Sequence, residues 1–143
     1  MNKNRFTNWK YPKFDENNMT KWNWMCQHHD KLQLGKCVDV GAFTYINAKC
    51  GVNLENYVQI GSHCSLYSIS SIDNKEGKIT LKKNSRLGAH SVVMPGVIIG
   101  ENSIIGAFSF VNIDIPDNSL AYGIPVKIIR KLTIEEIKKL TGE

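Results

Sequence analysis

An aliphatic residue returns at every sixth position of "RLGAHSVVMPGVIIGENSIIGAFSFV", at Leu87, Val93, Ile99, Ile105 and Val111. A helix repeats near 3.6 residues and a strand at 2, so neither explains a count of six. The count extends in both directions. It runs LGKCVD, VGAFTY and INAKCG from Leu34, then LENYVQ, IGSHCS and LYSISS after a slip of two residues at Val52 and Asn53. After an interruption it resumes as LKKNSR, LGAHSV, VMPGVI, IGENSI, IGAFSF and VNIDIP. All twelve blocks between Leu34 and Pro116 begin with Leu, Ile or Val. Their fifth positions are mostly small or β-branched, as at Thr44, Val58, Ser91 and Ser109, and Gly stands second in six of them.

Aliphatic and β-branched residues punctuated by Gly, Asn and Ser indicate short strands separated by turns. If each block is one strand and one corner, its first and fifth side chains both face inward, and three blocks close a triangular coil. A rung of such a coil takes about 18 residues and stacks on the next at roughly 4.8 Å as parallel strands. The sequence therefore predicts an all-β parallel β-helix over residues 34–118, with glycine relieving the backbone where corners demand unusual dihedrals. An N-terminal cap segment, residues 1–33, precedes it, and a C-terminal turn and short α-helix, residues 119–143, follow. Both open ends of a coil are unpaired edges that need covering. In "LTIEEIKKLTGE", Thr133 and Glu136 fit a capping box, and Ile134, Ile137 and Leu140 form one apolar stripe. That helix is expected to supply one cover and to pack on the sheet or on a neighbour. At the other end Phe6, Trp9, Tyr11, Phe14, Trp22 and Trp24 are expected to pack over the first rung, with contact to a substrate as the sharper alternative. "SIDNKEGKI", Ser71 to Ile79, breaks the count and reads as an exposed loop.

Within the coil, His63 and His90 both take the fourth place of their block. With the loop set aside they fall on the same corner of adjacent rungs, flanking the interruption. A chain of 143 residues is expected to be one domain, and its formal charge of +5 suits an anionic small ligand as well as nucleic acid. Four cysteines (Cys26, Cys37, Cys50, Cys64) without a CxxC pair, and an N-terminus too polar for a signal peptide, predict a cytoplasmic protein with reduced thiols. No run approaches the length of a membrane span.

The stretch "LGAHSVVMPGVIIGENSIIGAFSFVNIDIPDNSLAYGIPVKIIRKL" resembles the C-terminal half of galactoside, maltose and related sugar acetyltransferases, members of the hexapeptide-repeat acyltransferase family. The resemblance covers Leu34 to Leu132. It implies a left-handed coil, an exception to the usual right-handed crossover, with acetyl-CoA as cosubstrate, a sugar or nucleotide-sugar acceptor rather than nucleic acid, and a homotrimer whose active sites lie between subunits. In that family the loop equivalent to Ser71–Ile79 commonly holds the catalytic histidine; here it holds none.

Acyl transfer needs a base for the acceptor proton, and histidine is the usual base near neutral pH. His63 is the favoured base with His90 as its partner or substitute, and His28 and His29 could reach in from the N-terminal cap instead. Small residues permit close approach of a pantetheine arm, which makes Ala89, Ser91, Ala107 and Ser109 expected contacts of the cosubstrate. Lys127 and Arg130, in "YGIPVKIIRK", stand where the resembled family meets the nucleotide phosphates. No metal is expected. The favoured function is acetyl transfer to an amino sugar, nucleotide-linked, for surface polysaccharide. The alternatives are a sugar O-acetyltransferase of the galactoside/maltose type, a non-catalytic trimeric β-helix, and a zinc-dependent protein of the carbonic-anhydrase type. The last needs three histidine ligands, of which the pattern supplies two.

Overall fold

The computed structural model describes residues 7–142. In chain order the elements are β1 (Met25–Gln27), a 3-10 turn (His29–Lys31), β2 (Leu32–Leu34), β3 (Asp39–Val40), β4 (Tyr45–Asn47), β5 (Val52–Leu54), β6 (Gln59–Ile60), β7 (Ser65–Tyr67), β8 (Ile69–Ser70) and β9 (Lys75–Glu76). They continue with β10 (Ile79–Leu81), β11 (Arg86–Leu87), β12 (Val92–Val93), β13 (Ile98–Ile99), β14 (Ile104–Ile105), β15 (Phe110–Val111), β16 (Ser119–Tyr122), β17 (Lys127–Lys131) and α1 (Ile134–Thr141). Strands of two or three residues have no stability alone. They are held here by parallel ladders to the rungs above and below. A first face stacks β1-β4-β7-β12-β15, a second β2-β5-β10-β13, and a third β3-β6-β11-β14-β16.

These ladders align the first-position residues into three inward columns. They are Cys26–Ile46–Leu66–Val93–Val111, Leu34–Leu54–Leu81–Ile99 and Val40–Ile60–Leu87–Ile105–Ala121. All are buried except Leu34, which packs on the cluster from its edge. The expected aliphatic column is therefore the core. Fifth-position residues also face inward, with Cys50 and Ser70 only half-buried. Their hydroxyls need partners in an apolar interior, and backbone carbonyls supply them: Thr44 Oγ1 donates to the Gly61 carbonyl of the next rung at 3.0 Å, and Ser109 Oγ to the Gly106 carbonyl of its own rung at 2.6 Å.

Successive rungs are offset by 20, 20, 27, 18 and 16 residues. All of that variation falls at one corner, between the first and second faces. At the other two corners the register positions are always six apart, as from Gln59 to Ser65 and from Arg86 to Val92. The second-position glycines serve close approach rather than unusual dihedrals. A Cβ on Gly88 would lie 2.4 Å from the Ala107 nitrogen. Left-handed backbone is instead taken by fourth-position residues, among them Phe43, His63, Asn84, His90, Asn102 and Phe108, with φ between 57° and 64°.

Parallel pairing begins at Met25, nine residues before the first hexad of the sequence pattern. The interruption is an antiparallel hairpin, β8–β9, whose turn exposes Ile72 almost fully. Helix α1 has the predicted capping box: the Glu136 N–H donates to Thr133 Oγ1 at 3.1 Å, and the Thr133 N–H to Glu136 Oε2 at 2.8 Å. It does not close the end of the coil. It lies against the corner between the second and third faces, where Asn84 Nδ2 and Arg86 Nη2 donate to the Leu140 carbonyl at 3.2 and 3.3 Å. The final edge of the third face is covered by antiparallel β17, and Val126 N–H donates to the Phe110 carbonyl over the first.

Candidate active site

The corner between the third and first faces carries the candidate chemistry. Each rung there contributes one residue in the left-handed conformation, and backbone bonds tie them in sequence. The Phe43 N–H donates to the Asn23 carbonyl at 2.6 Å, His63 to Ala42 at 3.0 Å, His90 to Ser62 at 3.0 Å and Phe108 to Ala89 at 2.9 Å. Because this corner never varies in length, the side chains stack. His63 and His90 lie 4.7 Å apart with planes 9° from parallel, as the hexad count predicted. Phe43 continues the stack on His63 at 5.2 Å, and Phe108 on His90 at 4.9 Å. All four rings are exposed, the two phenylalanines by more than 60%.

Left-handed backbone disfavours a bulky side chain by roughly 1–2 kcal/mol, whereas Asn and His enter it more readily. Asn23, Asn102 and Asn118 take it in this chain. Exposed phenylalanines at such positions lack a reason inside one subunit, and strained positions of this kind gather at functional sites. The phenylalanines were legible in the sequence, since Phe43 and Phe108 are fourth-position residues in the same register as the histidines.

The other expected residues divide. Ala89 and Ala107 immediately precede His90 and Phe108 on the outside of this corner, half-buried and exposed. Ser91 and Ser109 cannot offer side chains to a cosubstrate. They are fully buried, with Ser91 Oγ accepting from the Ser109 N–H at 3.2 Å and Ser109 Oγ from the Gly123 N–H at 3.1 Å. The fifth position of a hexad points into the column, and that fact overrides small size. Arg130 is also engaged: its guanidinium forks onto Glu136 at 2.8 and 2.9 Å, clamping α1. Lys127 is exposed on β17.

His28 and His29 sit at a different corner, between the first and second faces, and His29 stacks on Phe14 at 4.4 Å. They do not reach His63. The hairpin leaves from that same corner, one strand (Ser65–Tyr67) beyond His63, so the histidine pair does not flank it directly. Cys64, next to His63, is no nucleophile: its side chain is buried, and burial pushes its thiol up despite backbone hydrogen bonds pulling the other way. Among the described residues no group of three His, Cys, Asp or Glu side chains could hold a metal.

Residues 78–112 match the family model of the bacterial transferase hexapeptide (six repeats). Over this stretch the chain is similar to the hexapeptide-repeat transferases. Galactoside O-acetyltransferase of Lactococcus lactis subsp. lactis is 34% identical to this chain over 119 residues, an alignment covering 73% of this chain and 58% of the relative. The chain thus spans little more than half the length of that curated relative. A galactoside acetyltransferase solved in complex with coenzyme A matches with a TM-score of 0.72 at 26% identity, over 79% of this chain and 60% of that one. A variant of the N-acyltransferase AntD from Bacillus cereus, solved with dTDP and coenzyme A, shares the fold at a TM-score of 0.69 and 22% identity, over 87% of this chain and 85% of that one. The coil is the left-handed β-helix of these acetyltransferases.

Proposed function

We propose that this chain is an acetyltransferase that moves an acetyl group from acetyl-CoA to the amine of a nucleotide-linked amino sugar, in the synthesis of a surface polysaccharide in the cytoplasm. The observation that carries the reading is the exposed His63–His90 stack bordered by the small residues Ala89 and Ala107. His63 accepts the proton of the attacking amine as nitrogen bonds to the acetyl carbon; the carbon–sulfur bond of the thioester then breaks, and the coenzyme A thiolate leaves and takes up that proton as the free thiol. His90, parallel to it at 4.7 Å, holds the ring in place. Ala89 and Ala107 end at Cβ on the outside of the corner, half-buried and exposed, which suits an extended thiol-bearing arm such as that of coenzyme A, and Lys127, exposed on β17, offers a cation for a phosphate. When bound, acetyl-CoA supplies the acetyl group as an activated thioester.

A second copy of the chain has a place in this reading. Phe43 and Phe108, 63% and 64% exposed above and below the histidines, are apolar surface that a homotrimer would cover while enclosing the reaction. An amine is favoured over a hydroxyl because it demands less of its base. The relative that acts as a galactoside O-acetyltransferase supports the alternative, a sugar hydroxyl.

The test is a panel of amino-sugar nucleotides and simple glycosides incubated with acetyl-CoA, read as thiol release. Acetyl-CoA alone should raise the melting temperature, because any ligand that binds only the folded state stabilises it; at 100 times its Kd the gain is about 2.7 kcal/mol. No shift at saturating acetyl-CoA would refute the activity, and turnover with plain glycosides but no amino sugar would refute the acceptor.

A further inference from the structure

The tryptophans of the chain all gather at one place outside the histidine corner. Trp9, Trp22 and Trp24 line a cavity of about 340 Å³ at the start of the coil, together with Lys10, Lys21, the carboxylate Asp39 and an apolar floor that includes Val40. The cavity is built rather than incidental. Trp24 is buried and braced edge-on by Phe14, with centroids 5.5 Å apart, and Trp9 is fixed by donating its Nε1–H to the Val38 carbonyl at 2.9 Å. Trp22 differs from both: it is 45% exposed, and Lys21 Nζ lies 4.6 Å from its ring centroid. A large flat ring held half-open beside two ammonium groups is suited to a ligand that is itself flat and anionic.

Position along the coil supplies the second argument. Asn23, the neighbour of Trp22, belongs to the same corner as the histidines, one rung below Phe43 and two below His63. At roughly 4.8 Å per rung that places Trp22's end of the corner on the order of 10 Å from His63 along the coil axis, a separation that a ribose and an extended diphosphate can bridge. We infer that this cavity is the subsite for the nucleoside diphosphate of the acceptor: the base stacks on Trp22, Lys10 and Lys21 meet the phosphates, and the sugar is carried up the corner toward His63. This rests on the nucleotide-linked acceptor proposed above and deepens it. A neutral glycoside would leave both ammonium groups without purpose.

Tryptophan fluorescence reports on this cavity alone, since the chain has three tryptophans and all of them line it. The experiment titrates the full chain with uridine diphosphate and thymidine diphosphate, with methyl galactoside and acetyl-CoA as comparisons. Saturable quenching by a pyrimidine diphosphate is expected. Trp22→Ala should weaken it about tenfold, the usual scale of one base–aromatic stack, and Lys21→Ala should weaken the diphosphate but not the free nucleoside. Both residues are exposed, so the melting temperature should hold. Quenching that survives Trp22→Ala, or that methyl galactoside or acetyl-CoA matches at equal concentration, would overturn the assignment. The binding readout needs no turnover. Quenching without acetyl transfer to any nucleotide sugar would refute the activity and leave the subsite standing, whereas transfer without quenching would do the reverse.

Discussion

Replacing His63 tests the proposed chemistry, and the structure determines which replacement is informative. His63 has φ of 57°, in the left-handed region. Alanine there meets the steric cost of that region, roughly 1–2 kcal/mol. It also loses the ring contacts to His90 and Phe43, 4.7 and 5.2 Å away, worth at most about 1 kcal/mol in an exposed stack. At about 3 °C per kcal/mol for a chain of this size, His63→Ala would melt several degrees lower, and a loss of activity would confound chemistry with a displaced corner. His63→Asn avoids the confusion. Asparagine enters the left-handed region readily, and this chain uses it there at Asn23, Asn84, Asn102 and Asn118. The expected outcome is a melting temperature within about 2 °C of the parent and kcat reduced by about 10² or more, the scale of one general base. Thiol release under saturating acetyl-CoA and acceptor measures the first quantity, and a thermal melt the second. Full turnover in His63→Asn, with the fold intact, would remove His63 as the base; an accompanying collapse of His90→Asn would transfer the role to His90.

Two further perturbations probe the frame. Gly88→Ala would set a Cβ against the Gly106–Ala107 backbone of the next rung and should cost about 1–3 kcal/mol as overpacking does; an unchanged melting temperature would show that the rungs can part. Glu136 is held at about 2, far below its ordinary 4.5, first by the Arg130 guanidinium and then by the Thr133 N–H. Its contribution to the cap of α1 is therefore complete above about pH 4.5 and lost as pH falls toward 2. The Thr133 and Glu136 amide signals in NMR spectra should report fraying across that window, and Glu136→Gln should abolish the pH dependence; the same transition in that variant would assign it to another group.

Much of the fold was legible because hexad position maps directly onto direction. Twelve first-position residues were chosen by spacing, and all twelve stand in the three columns. The same rule exposes where residue chemistry misled. Ser91 and Ser109 look accessible by size, yet the fifth position turns them inward to partner the backbone of the next rung, at the Gly106 carbonyl and the Gly123 N–H respectively. Arg130 looks like a phosphate ligand by neighbourhood, yet Glu136, six residues on, had already answered it through the capping box. Neither the side of the coil on which α1 lies nor the cavity around Trp22 follows from period, because both depend on long-range contacts between segments that lack the repeat. Phe6 lies outside the described residues.

The distribution of insertions explains why the candidate chemistry sits where it does. Moving from the first face to the second takes eight register positions in each of the first two rungs, then fifteen, six and four, whereas every passage through the histidine corner takes six. An insertion at the variable corner leaves the columns untouched, because both flanking strands keep their ladders; the β8–β9 hairpin enters there with Ile79 and Leu81 still fully buried. An insertion at the histidine corner would slide Phe43, His63, His90 and Phe108 out of stack. The coil thus separates two requirements that most folds must meet in one loop. A stacked histidine pair needs fixed register, which the six-residue corner supplies, and under the proposed function discrimination between acceptors falls to the variable corner and the tryptophan cap. Acceptor choice should therefore shift when the hairpin or Trp22 is exchanged, with the rate of the proton transfer at His63 left to the corner that does not vary.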